Sequence, residues 1–145
     1  LFQQLAGSAG QPLAINILGR ELSALRGADG VVWFDFATLC NGPRSQNDYL
    51  ALAESYHTIF LSAVPRMGSE MANQARRFTW LVDVLYDYRV KLIIGAACPA
   101  ESLYVEGLHA NEFRRTVSRL IEMRSHDYLA SAHRKSSAAE KNARA

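Results

Sequence analysis

Apolar positions along this chain switch between two periodicities. Leu13 to Arg20 (LAINILGR) alternates roughly as a half-exposed strand does, and Gly27, Asp29 and Gly30 then form a turn. Val31-Val32-Trp33-Phe34-Asp35-Phe36 is a continuous apolar run rich in β-branched and aromatic residues, which suits a buried central strand. Asn41-Gly42-Pro43 breaks the chain. Ser45 can cap a helix reaching about Ser55, with Asp48 in its first turn. His57 to Val64 reads as a second buried strand, stopped by Pro65. The period then changes: Met71, Ala75, Phe78, Val82 and Leu85 recur at spacings of 4, 3, 4 and 3, predicting a helix from Ser69 or Glu70 to Tyr88 with Ser69 as its cap. Val90 to Ala97 is a third buried strand before Pro99, and a last helix near Asn111 to Tyr128 turns Phe113, Val117, Leu120 and Ile121 inward. This alternation predicts an α/β fold: a mostly parallel sheet of three buried strands with crossover helices, plus an N-terminal antiparallel strand.

Composition agrees with one domain that buries a core. Of 145 residues, 49% are hydrophobic and 21% charged, which excludes a disordered polymer. No apolar run approaches the ~20 residues that cross a bilayer. The formal charge of +2 is unevenly placed. Residues 131–145 hold four Lys/Arg and one Glu, a net of +3, which leaves 12 Lys/Arg and 13 Asp/Glu, a net of −1, over residues 1–130. The expectation is a near-neutral α/β body over 1–130 and a disordered basic tail over 131–145. Such a body argues against general polyanion binding. An RNA reading would rest on Arg114, Arg115, Arg119 and the tail, with Tyr104, Phe113 and Tyr128 as stacking rings, although periodicity assigns Phe113 to the core. The chain opens Leu1-Phe2-Gln3 with no Met and no targeting pattern, as a piece of a longer protein would.

Chemistry-bearing patterns are sparse. Asp35 ends an apolar strand, where phosphate-binding ATPases place the acid that holds Mg²⁺, but Phe36 follows it and no glycine is followed by Lys, so no phosphate-binding loop is present. A strand-end Asp that caps the next segment explains the position as well. Cys40 and Cys98 lack metal or redox spacing and read as reduced, partly buried thiols. His57, His109, His126 and His133 show no metal-ligand spacing, and Ser62 lacks a nucleophile elbow. Thirteen of sixteen basic residues are arginine, which fits either fixed bidentate pairing or a GC-rich genome. On the long helix Arg76 shares a stripe with Trp80, Asp83 and Asp87, the pattern of a solvated, ion-paired face. Arg77 falls among Leu81, Val84 and Tyr88, where a guanidinium needs a partner: an internal acid or aromatic ring, or a phosphate. Arg115 and Arg119, four apart, call for an acid or a phosphate nearby.

Phe34–Leu50 (FDFATLCNGPRSQNDYL), Tyr56–Met67 (YHTIFLSAVPRM), Ala75–Asp87 (ARRFTWLVDVLYD) and Arg119–Leu129 (RLIEMRSHDYL) occur in an order and spacing that resembles the C-terminal part of the ZapE cell-division ATPases, bacterial relatives of the AFG-type mitochondrial ATPases. The resemblance covers about residues 12–130. It implies the last third of a P-loop ATPase whose nucleotide-binding motifs lie upstream, with ATP and Mg²⁺ as cofactors of the whole protein and none bound by this segment alone. It further implies the division-ring protein FtsZ or another protein client as partner, homo-oligomers, peripheral membrane association, and a cytoplasmic place at the septum or inner-membrane face. Within that frame, Arg76, Arg77 and Arg66, the last because it follows a strand exit, are the candidates for an arginine acting on the ATP of a neighbouring subunit. Arg114, Arg115 and Arg119 are interaction candidates. The alternative is a protein-interaction module with no part in hydrolysis.

Overall fold

Five strands and five helices follow one another in the computed structural model, which describes residue 2 and residues 6–133. The strands are β1 (Gln11–Ile17), β2 (Arg20–Ala28), β3 (Val31–Asp35), β4 (Thr58–Val64) and β5 (Lys91–Ala96). The helices are α1 (Phe36–Cys40), α2 (Gln46–Ser55), α3 (Ala72–Asp87), α4 (Ala110–Glu122) and α5 (His126–Ala130), with 3₁₀ turns at Ser69–Met71 and Ala100–Ser102. All strands join one sheet in sequence order: β1, β2 and β3 pair antiparallel, and β3, β4 and β5 pair parallel.

The α/β class holds, and the sheet is mixed rather than mostly parallel. Two antiparallel strands, not one, precede the parallel part. Arg20–Ala28 is a strand because its inward residues, Leu22 and Ala24, are buried while the residues between them face water. The predicted turn narrows to Asp29-Gly30. Gly30 has φ +71°, its carbonyl accepts from the His57 and Thr58 N–H groups at 2.9 and 3.3 Å, and a side chain there would strike the His57 ring. The third parallel strand is not a buried one. β5 lies at the sheet edge with half-exposed residues, because among the described residues no strand pairs with its far side.

Crossovers that step in one direction, from β3 to β4 to β5, put their helices on one face. The main core lies there, between Val32, Phe34, Ile59 and Leu61 of the sheet and Leu52, Phe78, Leu81 and Leu85 of the helices. The other face carries Val31 and Phe60, with Trp33 and Ile93 beside them, and Phe2 covers them.

The helix ends also differ from expectation in instructive ways. Ser45 caps α2 as predicted, and the Asp48 carboxylate reaches back to the Ser45 N–H at 2.8 Å. Ser69 caps nothing; it opens a 3₁₀ turn that leads into α3. The last helical stretch breaks at Met123–Ser125, and Ser125 caps the short α5, whose Tyr128 hydroxyl lies 2.6 Å from the Val90 carbonyl and 3.1 Å from that of Leu85. Thr116 takes the inward position on α4 and bonds Thr79 across the interface at 3.1 Å, while Ile121 is 43% exposed. The tail from residue 134 lies outside the described residues.

Candidate arginine cleft

The helix α1 is only five residues long, so its terminal carbonyls have few partners within it. Beyond the bond made by its own C-cap residue, three of them are taken by side chains from elsewhere. The Asn41 N–H donates to Ala37 O at 3.1 Å, and Arg44 donates through Nε and Nη2 to Thr38 O at 3.2 and 3.1 Å. The Tyr49 hydroxyl donates to Leu39 O at 2.7 Å, and Arg77 Nη1 to Cys40 O at 3.0 Å. Cations suit a helix C-terminus, where the backbone dipoles present negative charge. Asp35 serves the other end of α1, accepting from the Ala37 N–H at 3.2 Å. It therefore acts as the cap that the alternative reading allowed.

This capping gathers charge. Arg77 from α3 and Arg44 from the loop before α2 line an open cleft of about 400 Å³ together with Arg20 from β2 and Arg76 from α3; Asn73, Ser45 and Trp80 complete the wall. Arg20 Nη1 donates to Pro43 O and to Asp48 Oδ2, both at 2.8 Å, and the Asp48 side chain is 4% exposed. Thr38 O and Cys40 O are neutral acceptors, so they orient Arg44 and Arg77 without cancelling their charge. Among the described residues, Asp48 is the one carboxylate ion-paired to this cluster, against four guanidiniums. Arg76 is exposed and its guanidinium lies over the Trp80 ring at 4.9 Å, with no hydrogen bond to its N–H donors among the described residues.

The candidates thus separate. Arg76 and Arg77 share the cleft, but Arg77 has neither the acid nor the aromatic ring expected for it: a backbone carbonyl is its partner. Arg66 is exposed after β4, outside the cleft lining. Arg119 finds the predicted acid in Asp83 and also lies over Tyr86 at 5.1 Å, while Arg114 and Arg115 are exposed on α4. Tyr104, Phe113 and Tyr128 are all buried, which removes the rings that an RNA surface would need. The stripe of Arg76, Trp80, Asp83 and Asp87 is not ion-paired within itself among the described residues: Arg76 lies over the Trp80 ring, and Asp83 pairs with Arg119 of α4. Arg20 and Arg44 come from separate elements, and no periodicity links them to α3; the Asn41-Gly42-Pro43 break beside Arg44 is the local sequence signal for its place in the cleft.

Chemically, such a cleft takes an anion whose oxygens accept bidentate N–H donors. It fits phosphate oxygens presented from outside. It offers no glycine-rich cradle, and among the described residues no three His, Cys, Asp or Glu side chains converge to hold a metal ion. Behind the cleft, burial pushes the Cys40 thiol up to about 12 and raises Tyr49 as well. Both groups are thus neutral at physiological pH and act as packing and hydrogen-bonding groups. No helix among the described residues is long and apolar enough to cross a membrane.

Residues 1–132 match the family model described as AFG1-like ATPase. The chain is similar to the cell division protein ZapE of Escherichia coli strain K12, with 40% identity over 119 residues that cover 82% of this chain and 32% of that protein. It is also similar to lactation elevated protein 1 homolog B of Danio rerio, with 30% identity over 172 aligned positions, 94% of this chain and 34% of that protein. The chain spans about a third of the length of these curated relatives. No solved structure matches it.

Proposed function

Because the chain belongs to the AFG1-like ATPase family, as its C-terminal part, we propose that it serves an ATP-hydrolysing protein of the cell-division kind by presenting an arginine to the nucleotide of a neighbouring subunit. The observation that carries this reading is the gathering of four guanidiniums in one cleft, with Arg76 stacked on Trp80 and its donors free among the described residues. Arg76 is the acting residue in this proposal. Arg77 and Arg44 hold α1 and supply positive field, and Arg20 is tied to Asp48. A positioned guanidinium stabilises charge that grows on the phosphoryl oxygens during transfer, and so raises turnover more than nucleotide affinity. ATP and Mg²⁺ would be bound by upstream residues of the whole protein; this segment supplies phosphate contacts only.

The test is ATP turnover of the full-length protein carrying Arg76→Ala. A fall in kcat of about a hundredfold or more with little change in KM is expected for a trans-acting arginine. Turnover equal to the parent protein would remove Arg76 from the mechanism. Arg66→Ala, outside the cleft, should leave kcat unchanged.

The second reading, a protein-interaction module with no part in hydrolysis, draws support from exposed apolar side chains on two loops: Leu18 at 64%, and Val105 and Leu108 at 63% and 67%. It predicts nucleotide-independent capture of a division-ring or other protein client by this segment, and normal turnover in every arginine variant.

A further inference from the structure

The sheet has two edges, and they are guarded differently. β1 contains Pro12 and shifts register between Gln11 and Leu13, both of which deter a further strand. β5 has no proline, and the register shift in its pairing with β4, between Leu61 and Val64, comes after Ile94, so Lys91–Ile94 run in unbroken register; β4 is its neighbour on one side only among the described residues. The Lys91 N–H donates to His57 O at 2.9 Å, towards β4. Peptide groups alternate sides along a strand, so those of Leu92 and Ile94 point away from β4 to the open edge. The side chains of these same two residues line a cleft of about 250 Å³ with Leu103, Leu120 and Met123; Cys98 lies in its wall and the exposed Arg124 at its rim. Unpaired N–H and C=O groups therefore run beside an apolar trough whose charged lining residue is a cation.

We propose that β5 and this trough form a docking edge for an extended segment of a partner protein. The segment pairs with β5 as a sixth strand, places an apolar side chain in the trough at every second position, and sets an acidic residue against Arg124. An apolar trough alone would suit a helix or an acyl chain equally well. An extended backbone can pair with the open peptide groups of Leu92 and Ile94 together, which neither a helix nor an acyl chain can do, and the two-residue spacing of their side chains matches the period of a strand. Arg124 adds selection by charge. The edge shares no lining residue with the arginine cleft, so the two can be broken separately.

Random twelve-residue peptides displayed on phage and selected on the 145-residue chain test this. Enriched peptides should alternate apolar and polar residues, avoid proline and carry Asp or Glu. Bound peptide should shield Cys98 from maleimide, a clean readout because Cys40 is buried and held protonated. Arg124→Glu should weaken binding of the acidic peptides about tenfold. Ile94→Pro removes an N–H that β4 does not use, and should abolish the shielding while the circular dichroism spectrum persists. The proposal is overturned if no peptide is enriched, if enriched peptides leave Cys98 reactive, or if their binding ignores Arg124→Glu. Shielding of Cys98 that grows with protein concentration in the absence of peptide would also overturn it and give the edge to a second copy of the chain.

Discussion

The two halves of α3 treat arginine in opposite ways. Near the C-terminal half, Arg119 meets Asp83 and rests on Tyr86, whose hydroxyl donates to Glu122 at 2.7 Å, so charge and donors are consumed locally. Near the N-terminal half, Arg76 and Arg77 join Arg20 and Arg44 around one buried carboxylate, and three of the four spend donors on neutral carbonyls. The residue types are the same, and the difference lies in where carboxylates are placed. A closed arginine network contributes to stability. An open one holds a positive field ready for something from outside.

Removing the one carboxylate of the open cluster should have the largest effect on the fold. Asp48→Ala deletes the capping box of α2 and frees Arg20 beside three other cations, and a loss of about 2–3 kcal/mol is expected in urea unfolding. In the closed network, Asp83→Ala leaves Arg119 half-buried without its acid, for about 1 kcal/mol by the same measurement. The contrast fails if Asp83→Ala proves the more damaging of the two. Arg76→Ala should cost about 0.5 kcal/mol or less, since only an exposed ring contact is lost. A large fall in melting temperature would make Arg76 structural and undo its assignment to the open cluster.

The sequence made some parts of this arrangement legible and hid others for physical reasons. β3, β4, α2 and α3 carry strong signals: continuous apolar runs of strand length, a capping pair at Ser45 and Asp48, and a 4-3-4-3 repeat. β2 was hidden because most of its residues face water, so Arg20–Ala28 reads as polar chain between two strands. Helix α1 was hidden because Phe36–Cys40 prolongs the apolar run of β3, and nothing local announces that Asp35 turns the chain. Arg76 and Arg77 could be placed on α3 from periodicity alone. Their neighbours could not, since Arg20 and Arg44 arrive from β2 and a loop more than thirty residues away, and periodicity carries no information on that proximity.

The smallest effect concerns pH. His57, at the entry to β4, is held below its usual 6.5 by partial burial first, and then by His133 and Lys91 nearby. Between the folded value and 6.5 the unfolded chain binds more protons than the folded one. Stability should therefore be full above pH 6.5 and decline modestly as pH falls through the folded value. Denaturant midpoints across pH 5 to 8 check this, and His57→Gln should flatten the slope.

The mixed sheet also sets an order of assembly. β1, β2 and β3 are joined by the two-residue turns at Leu18-Gly19 and Asp29-Gly30, so their pairing closes very short loops. β4 and β5 each return only after a helical crossover, and parallel pairing over such separations carries a larger loop-closure cost and a slower rate. The N-terminal meander is thus the natural early template, β4 adds to it, and β5 comes last. In kinetic terms, among the described residues, the strand that completes the sheet is also the strand left with an open side.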